Sequence, residues 1–308
     1  MISFQPTFRN PGFSGKLSPL GEQSSLITPS YENIPLLDRR RMSTVLKMGI
    51  TCSMDCLEQA TIQDPDAIIV GTSMGCRTQT RNFLDNVLEA KDGPISPTPF
   101  IFSTHNSVAA QVSMRLQNYN YNMTHTHGTL SFEHALLDAV LGLSEGFKNV
   151  LVGGADELEP TLYNMPARVG RDDLTLAIGA GFFLLSAGNA KGRPTLVDVA
   201  CNGLIDGIAE SIAEFVKKNS LSLEAIELVL YAGGKQTHKE LSLLFHAGKL
   251  VDYEAFSGTW FTNSCFGLAF AVDVLTVANH PVYGNCRNIL ICNNVLLENL
   301  GLILLSRS

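Results

Sequence analysis

The feature that most constrains the fold of this 308-residue chain is an internal repeat. The segment THTHGTLSFEHALLDAVLGLSEGFKNVLVGGADE shares its order of features with TNSCFGLAFAVDVLTVANHPVYGNCRNILICNNVLLE: a polar strand end, a glycine, an apolar helix, a loop, an asparagine and a buried strand. Asn149 lies 21 residues after Gly128, and Asn288 lies 21 residues after Gly267. Copies about 140 residues apart are too distant for a solenoid, whose repeats are roughly 20 to 50 residues long. The repeat therefore predicts two similar halves.

Alternating helix-like and strand-like segments predict an α/β fold for both halves. Upstream, LEQATIQDPDAIIVGTSMG is echoed by FVKKNSLSLEAIELVLYAGG, each with a helix, a spacer, a strand and a glycine turn. The first forty residues are rich in Pro, Ser, Gly and Asn, which is typical of an irregular arm or lid. We therefore divide the chain into an irregular arm over residues 1–35, a first half over 36–187 and a second half over 188–308, joined near SAGNAKGRP.

The composition indicates a large buried interior. Hydrophobic residues make up 45% of the chain and charged residues only 17%, as expected for a large buried sheet or a covered subunit interface. The net charge is -7 and the basic residues are scattered apart from Arg39, Arg40 and Arg41, which argues against a nucleic-acid partner. The seven cysteines are typical of reduced core residues. With neither a signal peptide nor an apolar run of about 18 residues, we expect a cytoplasmic protein without a membrane span.

Three histidines, His125, His127 and His134, lie within ten residues of each other. His125 and His127 could supply two metal ligands from one face of a strand, but a metal needs a third ligand. Asp138, one helical turn after His134, adds no clear geometry. Polar histidines with ordinary hydrogen-bond partners are the simpler interpretation, so we expect neither a metal nor another cofactor.

The segment GTSMG, residues 71–75, matches the G-x-S-x-G turn of serine hydrolases and follows a strand. In that interpretation Ser73 is the nucleophile, with Asp156 and His238 as its partners. The repeat explains the same glycines as a tight turn, and a hydrolase would not predict the matched second half. Cys76, just beyond the turn, could be a thiol nucleophile but is better explained by helix packing.

Several segments, in the same order, resemble the β-ketoacyl synthases of the thiolase superfamily. PLLDRRRMSTVLKMGI resembles the start of the family's first conserved helix, and IIVGTSMG resembles its strand and glycine turn. ISPTPFIFSTHNSVAAQVSMRL is similar to the segment before the nucleophile, VLVGGADE to the strand after it, and LAIGAGFFLLS to the glycine-rich strand. The resemblance covers nearly the whole chain from about Ile34. It implies a thiolase-like fold of two pseudo-symmetric α/β halves in five layers, α-β-α-β-α.

The resemblance also assigns four catalytic positions, and none of them keeps the family's residue. In the family a Cys carries the acyl chain, two His residues assist decarboxylation and stabilise the enolate and oxyanion, and a Lys orders the site. The Cys position falls at His125, the first His at Gly233 in LYAGG, and the Lys and second His at Thr259 and Ser264 in TWFTNSCFGL. The repeat also sets His125 opposite Ser264. The resemblance further implies a site or acyl tunnel lined by His127, Phe132, Cys265 and Phe266.

These losses resemble those of chain-length-factor-type partners of ketosynthases. The resemblance implies a heterodimer with an active ketosynthase, visits by an acyl carrier protein and an acyl thioester chain. Type II fatty acid, polyketide, aryl polyene and flexirubin-like pathways are the expected settings. The strand QNYNYNMTHT is expected to form a sheet edge covered by a partner subunit. A divergent acyltransferase or 3-oxoacyl synthase that uses His125 or His127 as a base, a serine hydrolase at Ser73, and a homodimer stay open.

Overall fold

The computed structural model describes the backbone of residues 2–7 and the whole of residues 30–90, 93–157, 171, 174–188, 193–205 and 207–307. The first half contains strands β1 (Ile2–Thr7), β2 (Ala67–Gly71), β3 (Tyr121–His125), β4 (Asn149–Asp156) and β5 (Gly179–Ala187), and helices α1 (Leu36–Arg39), α2 (Thr44–Ala60), α3 (Arg77–Glu89), α4 (Thr98–Ile101), α5 (Ser107–Leu116) and α6 (Ser131–Ser144). The second half contains strands β6 (Pro194–Asn202), β7 (Leu228–Ala232), β8 (Leu250–Asp252), β9 (Asn288–Asn293) and β10 (Leu300–Arg307), and helices α7 (Ile208–Lys218), α8 (Gly234–Leu241), α9 (Glu254–Ser257) and α10 (Ser264–Thr276). None of the helices in these ranges is long and apolar enough to cross a membrane.

The strand order confirms the two halves predicted from the repeat. The strands form one sheet in the order β3-β2-β4-β5-β1-β6-β10-β9-β7-β8. From edge to centre, the first half is β3-β2-β4-β5-β1 and the second is β8-β7-β9-β10-β6, so each strand has a counterpart five strands later in the chain. In the first half β3, β2 and β4 are parallel while β5 is antiparallel, and β8, β7, β9 and β10 repeat that pattern.

The N-terminal strand β1 joins the halves at the centre of the sheet. It pairs with β5 along its length and with β6 at Ile2↔Leu196 and Ser3↔Thr195. The expected irregular arm therefore does not hold for these six residues; residues 8–29 of that arm lie outside the described residues. The segment ISFQPT alternates apolar and polar residues with the period of a strand. The strand was not predicted because the segment is short and contains a proline, which is uncommon inside strands.

Helices pack on both faces of each half-sheet and give the five layers that the resemblance implies. The central layer is α6 and α10, whose buried side chains share one hydrophobic cluster with strands of both halves. Helices α2 and α5 cover the outer face of the first half, and α7 and α8 cover that of the second. Because the two central helices are covered on both sides, they need long apolar sequences, which explains the high hydrophobic content.

The helix starts correct the register of the repeat. Helix α6 begins at Ser131 and α10 begins at Ser264, so Ser264 corresponds to Ser131. The predicted correspondence of Ser264 with His125 is therefore wrong. Gly128 precedes its helix, whereas Gly267 lies inside its helix. The two glycines that set the predicted alignment are therefore not equivalent.

Candidate functional site

A single buried carboxylate binds two of the four positions assigned by the resemblance. Gly233 forms the turn between β7 and α8, and Thr259 follows α9. The Gly233 N–H donates to Glu254 Oε2 at 2.8 Å, and the Thr259 hydroxyl donates to Glu254 Oε1 at 2.6 Å. Both side chains, Glu254 and Thr259, are buried. The structure thus brings these two positions together in one hydrogen-bond network.

Arg171 extends this network to the first half of the chain. Its Nη1 lies 3.0 Å from Glu254 Oε2 and donates to the Val295 carbonyl at 3.1 Å. The Arg171 and Glu254 side chains are only 5% and 6% exposed. A buried ion pair is tolerated when further hydrogen bonds satisfy its remaining polar atoms, and Glu254 receives donors from Arg171, Gly233 and Thr259. The network therefore ties the two halves together.

The backbone at Gly233 excludes a side chain. Its φ of 123° lies in a region that L-residues rarely adopt. A Cβ atom there would lie 2.0 Å from Thr237 Oγ1 and 2.7 Å from the Asn294 carbonyl oxygen. The local structure is thus built around a glycine and cannot accept the family's histidine without rearrangement.

A cavity of about 520 Å³ opens beside the Glu254 network. It lies at the carboxyl ends of the parallel strands β7 and β8, where ligand sites of α/β proteins often form. Tyr231 and His238 line it, with 3.0 Å between the Tyr231 hydroxyl and His238 Nδ1. Burial, followed by the charges of Asp252 and Glu254, raises the pKa of Tyr231 well above its ordinary value. The Tyr231 phenol is therefore protonated at neutral pH.

Ser264, the fourth position, belongs to a separate buried polar group between the halves. It is the first residue of α10 and is fully buried. Glu133, on α6, is also fully buried and accepts from Asn293 Nδ2 at 2.7 Å. The Ser264 hydroxyl faces the Glu133 carboxyl without a well-formed hydrogen bond. This part of the site therefore contains a carboxyl group that is only partly satisfied.

Glu133→Gln is expected to flatten the pH dependence of stability. Burial raises the pKa of Glu133 from 4.5 to about 7, and the contacts with Asn293 and Ser264 offset part of that rise. The fold therefore favours the protonated form, so this contribution is complete below pH 4.5 and is lost as the pH rises through 7. A shift of this size corresponds to about 3 kcal/mol.

The measurement is the urea midpoint of the wild-type protein and of Glu133→Gln at pH 5 and pH 8. The wild type should lose more stability than the variant between the two pH values. Equal losses would show that Glu133 does not titrate in this range.

His125 lies in a third network at the sheet edge. It ends β3, and its Nε2 lies 2.8 Å from Asp138 Oδ2 on α6. The Tyr121 hydroxyl donates to the same oxygen at 3.2 Å. The His125 and Asp138 side chains are about one-fifth exposed. No described contact links His125 to Gly233, Thr259 or Ser264, so the four predicted positions fall into three groups.

The histidine cluster is a stack of rings. The His127 and His134 ring centroids are 3.9 Å apart, and His125 is 6.4 Å from His134. Burial, together with the neighbouring His127 and His125, lowers the pKa of His134. Among the residues that the structure describes, no group of His, Cys, Asp and Glu side chains has an arrangement suited to a metal ion.

Three of the four expected lining residues lie in the hydrophobic core between the halves. Phe132, Cys265 and Phe266 are buried, whereas His127 is exposed. Burial raises the pKa of the Cys265 thiol well above its ordinary value. Burial also raises the pKa of Cys76, which precedes α3, to about 12. Neither thiol therefore provides a reactive thiolate at neutral pH.

Among the described contacts, none joins His238 to Ser73 or Asp156, the other two residues of the hydrolase hypothesis. Asp156 accepts from the Ser73 N–H and from the hydroxyls of Thr72 and Thr262, each at 2.9 Å. His238 bonds to a tyrosine on β7 instead. Burial raises the pKa of Asp156 to about 6, and its hydrogen-bond donors offset part of that rise. These contacts hold the glycine turn against the end of β4. Ser73 contacts Asp156 through its backbone N–H.

The buried charged groups of the site were not predicted from the sequence. Glu133 follows Phe132 within the largely apolar sequence of α6, and a carboxyl group in such a helix is a signal that could have found it. Glu254 and Arg171 lie 83 residues apart, with no motif to connect them. Thr129 was also missed: its hydroxyl donates to Asn299 Oδ1 at 2.8 Å, and its carbonyl accepts from Asn293 at 2.8 Å. Thr129 is thus the residue of the β3–α6 elbow that contacts the second half.

Comparison with known proteins supports the fold. The model of the β-ketoacyl synthase N-terminal domain matches residues 18–195. No curated protein matches the chain. The ishigamide ketosynthase/chain length factor superposes with a TM-score of 0.74 at 18% identity, covering 87% of this chain and 81% of that one. A β-ketoacyl synthase from Burkholderia phymatum STM815 superposes with a TM-score of 0.71 at 16% identity, covering 92% of this chain and 86% of that one.

A third solved structure contains a complex. It is a type II polyketide acyl-carrier protein with its ketosynthase bound to the hexaketide, and it superposes with a TM-score of 0.73 at 14% identity. The superposition covers 92% of this chain and 89% of the matched chain. At these identities the likeness establishes the thiolase-like fold.

Proposed function

The chain belongs to the β-ketoacyl synthase family, and from this premise we propose that it is a chain-length-factor-like subunit. In this proposal it has no condensing activity of its own, pairs with an active ketosynthase and helps to shape the site for an acyl thioester delivered by an acyl carrier protein. Type II fatty acid, polyketide and aryl polyene-type pathways are the settings in which such a subunit would act.

The observation that carries this proposal is the Glu254 network. Condensation needs free donors that stabilise an enolate and an oxyanion as charge develops. At Gly233 the backbone N–H donates to Glu254, and at Thr259 the hydroxyl donates to the same carboxylate. Both donors are therefore already occupied by Glu254 and are not free to bind a developing enolate or oxyanion. Ser264 offers a hydroxyl in place of an imidazole. These features together support a subunit without condensing activity.

The exposed edge of β3 supports a partner subunit. This strand is the outermost strand of the first half, and Tyr121 and Met123 are each 39% exposed on it. Tyr119, just before the strand, is 94% exposed. An uncovered edge with aromatic and apolar side chains favours pairing with another chain. An active ketosynthase is the partner that we propose for this edge.

Met123→Lys is expected to weaken the complex with the ketosynthase at least about tenfold, because a lysine on an edge strand opposes pairing with another strand. The dissociation constant can be measured by biolayer interferometry with a purified active ketosynthase. Leu243→Lys is the matched control, since Leu243 is 77% exposed far from this edge in the second half. If both substitutions weakened the complex equally, the result would show that β3 is not part of the interface.

The test of the proposed function is co-expression with that ketosynthase followed by size-exclusion chromatography. A stable 1:1 complex is the expected result. A chain that stays monomeric beside the active ketosynthase would contradict the proposal.

A second candidate function is supported by the His125–Asp138 contact. A carboxylate 2.8 Å from an imidazole nitrogen orients the ring. In this alternative His125 acts as a base or a transient acyl carrier on a bound thioester. An acyl adduct detected by mass spectrometry and lost in His125→Ala would favour it over the first proposal.

A further inference from the structure

Three imidazole rings lie against one another where strand β3 meets helix α6. We call them the histidine stack; it consists of His125, His127 and His134. The ring centroids of His127 and His134 are 3.9 Å apart, with 27° between the ring planes. The His125 centroid lies 6.0 Å from that of His127 and 6.4 Å from that of His134. At these distances a positive charge on one ring opposes a positive charge on the next.

Hydrogen bonds at the start of α6 hold His127 in place beside His134. The His127 N–H donates to Ser131 Oγ at 2.9 Å, and the Ser131 hydroxyl donates to the Gly128 carbonyl at 2.7 Å. Ser131 is the first residue of α6, and His134 follows it on the same helix. The stack is therefore fixed by the backbone of the β3–α6 elbow.

One carboxylate among the described residues contacts the stack. Asp138 Oδ2 lies 2.8 Å from His125 Nε2, and the same oxygen accepts from the Tyr121 hydroxyl at 3.2 Å. The described contacts of His127 and His134 include no carboxylate. A proton on His125 is therefore balanced by Asp138, whereas a proton on either of the other two rings is not.

The other titratable groups near the stack supply no second negative charge. Glu133 adjoins His134 in the sequence, but its carboxyl group accepts from Asn293 in the second half. Tyr121 is neutral at neutral pH, because burial and the charge of Asp138 raise the pKa of its phenol. The stack therefore has a single carboxylate for three imidazoles.

The stack continues the strand edge that we propose for the ketosynthase. Tyr121, Met123 and His125 alternate along β3, so their side chains point to the same face of the sheet. His127 is exposed just beyond the end of the strand. A subunit that pairs with β3 would cover the exposed side of the stack, and removal from water disfavours the charged form of an imidazole. In the free chain, burial followed by the two neighbouring imidazoles already lowers the pKa of His134.

We propose that the histidine stack makes the pairing of β3 with the ketosynthase sensitive to pH, so that the complex forms with neutral imidazoles and weakens when they are protonated. This inference rests on the proposed function, which supplies the partner subunit, and it adds a means of regulating the complex. The covered stack binds fewer protons than the free stack. The complex therefore loses affinity as the pH falls through the range in which histidines titrate.

The experiment measures the dissociation constant of the full chain and a purified active ketosynthase by biolayer interferometry at pH 8 and at pH 6. The complex is expected to be at least about threefold weaker at pH 6, the change produced when association lowers the pKa of one imidazole by about one unit. Circular dichroism of each protein at both pH values checks that the change is not caused by unfolding.

Two variants test whether the stack is the source of the pH dependence. The double substitution His127→Gln, His134→Gln removes two titrating groups and should abolish most of the difference between the two dissociation constants. Because His127 is exposed, His127→Gln should fold like the wild type even if the double variant does not, and it alone should reduce the difference. His246→Gln is the matched control, since His246 is exposed in the second half. The control should keep the wild-type ratio.

Equal affinity at the two pH values, or tighter binding at pH 6, would overturn the inference and leave the proposed function untouched. An unchanged pH dependence in the double variant would also overturn it, because the titrating groups would then lie outside the stack. Absence of a complex at both pH values would contradict the proposed function, and the inference would fall with it.

Discussion

Glu254→Ala is expected to lower the free energy of unfolding by roughly 3 to 5 kcal/mol, the usual cost of removing one partner of a buried ion pair. The substitution leaves the Arg171 guanidinium buried without its carboxylate and removes the acceptor for the Gly233 N–H and the Thr259 hydroxyl. Because Arg171 precedes β5 and Glu254 follows β8, the loss should loosen the packing of one half on the other. Urea denaturation followed by circular dichroism measures the change.

Two further variants separate the cost of an unpaired charge from the cost of a lost contact. The double substitution Arg171→Met, Glu254→Leu removes both charges and should recover much of the stability lost in Glu254→Ala. Asp85→Ala is the exposed control: Asp85 lies 3.6 Å from Arg81, with both side chains more than half exposed, and its loss should cost under about 1 kcal/mol. A Glu254→Ala effect as small as that of Asp85→Ala would contradict the described network.

Gly233→Ala is expected to destabilise the chain by roughly 2 to 6 kcal/mol, the sum of backbone strain and overpacking. The φ of 123° is strained for alanine, and the added methyl group would overlap Thr237 Oγ1 and the Asn294 carbonyl oxygen. Gly233→His should be worse still, since the larger side chain meets the same atoms. A histidine restored at this position should therefore disrupt the turn before it restores any chemistry.

Gly203→Ala is the matched control for this substitution. A Cβ at Gly203 has no neighbour within 4 Å and its φ needs no glycine, so the change should stay within about 0.5 kcal/mol. The comparison uses thermal and urea unfolding of the two variants. Similar stabilities for Gly233→Ala and Gly203→Ala would indicate that the turn at Gly233 adapts and that its geometry does not exclude a side chain.

The sequence predicts the architecture well because both halves obey the same apolar periodicity. The buried strands, the apolar helix α6 and the outermost position of β3 follow from segments that repeat in order. The N-terminal strand could not be predicted with the same ease, since Ile2–Thr7 is six residues long and contains a proline. Its counterpart in the second half is β6, which occupies the equivalent place in the sheet.

The equivalence of His125 and Ser264 failed because two differences in length cancel. The connection from α6 to β4 covers residues 145–148, whereas the connection from α10 to β9 covers residues 277–287. Gly267 lies inside α10, whereas Gly128 lies before the start of α6. The longer connection after α10 compensates for this difference, so the two spacings from glycine to asparagine are equal. Spacing alone cannot detect such a compensation, and only the helix starts reveal it.

The Glu254 network could not be predicted from the sequence. Arg171, Gly233 and Thr259 reach Glu254 from separate segments, and the sequence around each of them carries no motif for the others. The contact between Arg171 and Glu254 depends in addition on how the two halves pack. The resemblance predicts Gly233 and Thr259 as altered catalytic positions, and the structure adds the carboxylate that binds both.

The most direct test of the central claim is a reconstituted condensation assay with acyl and malonyl thioesters of the acyl carrier protein. Product is measured by mass spectrometry for the chain alone, for the active ketosynthase alone and for their complex. We expect no 3-oxoacyl product from the chain alone, and a product distribution from the complex that differs in chain length from that of the ketosynthase alone. Condensation by the purified chain alone would contradict the account.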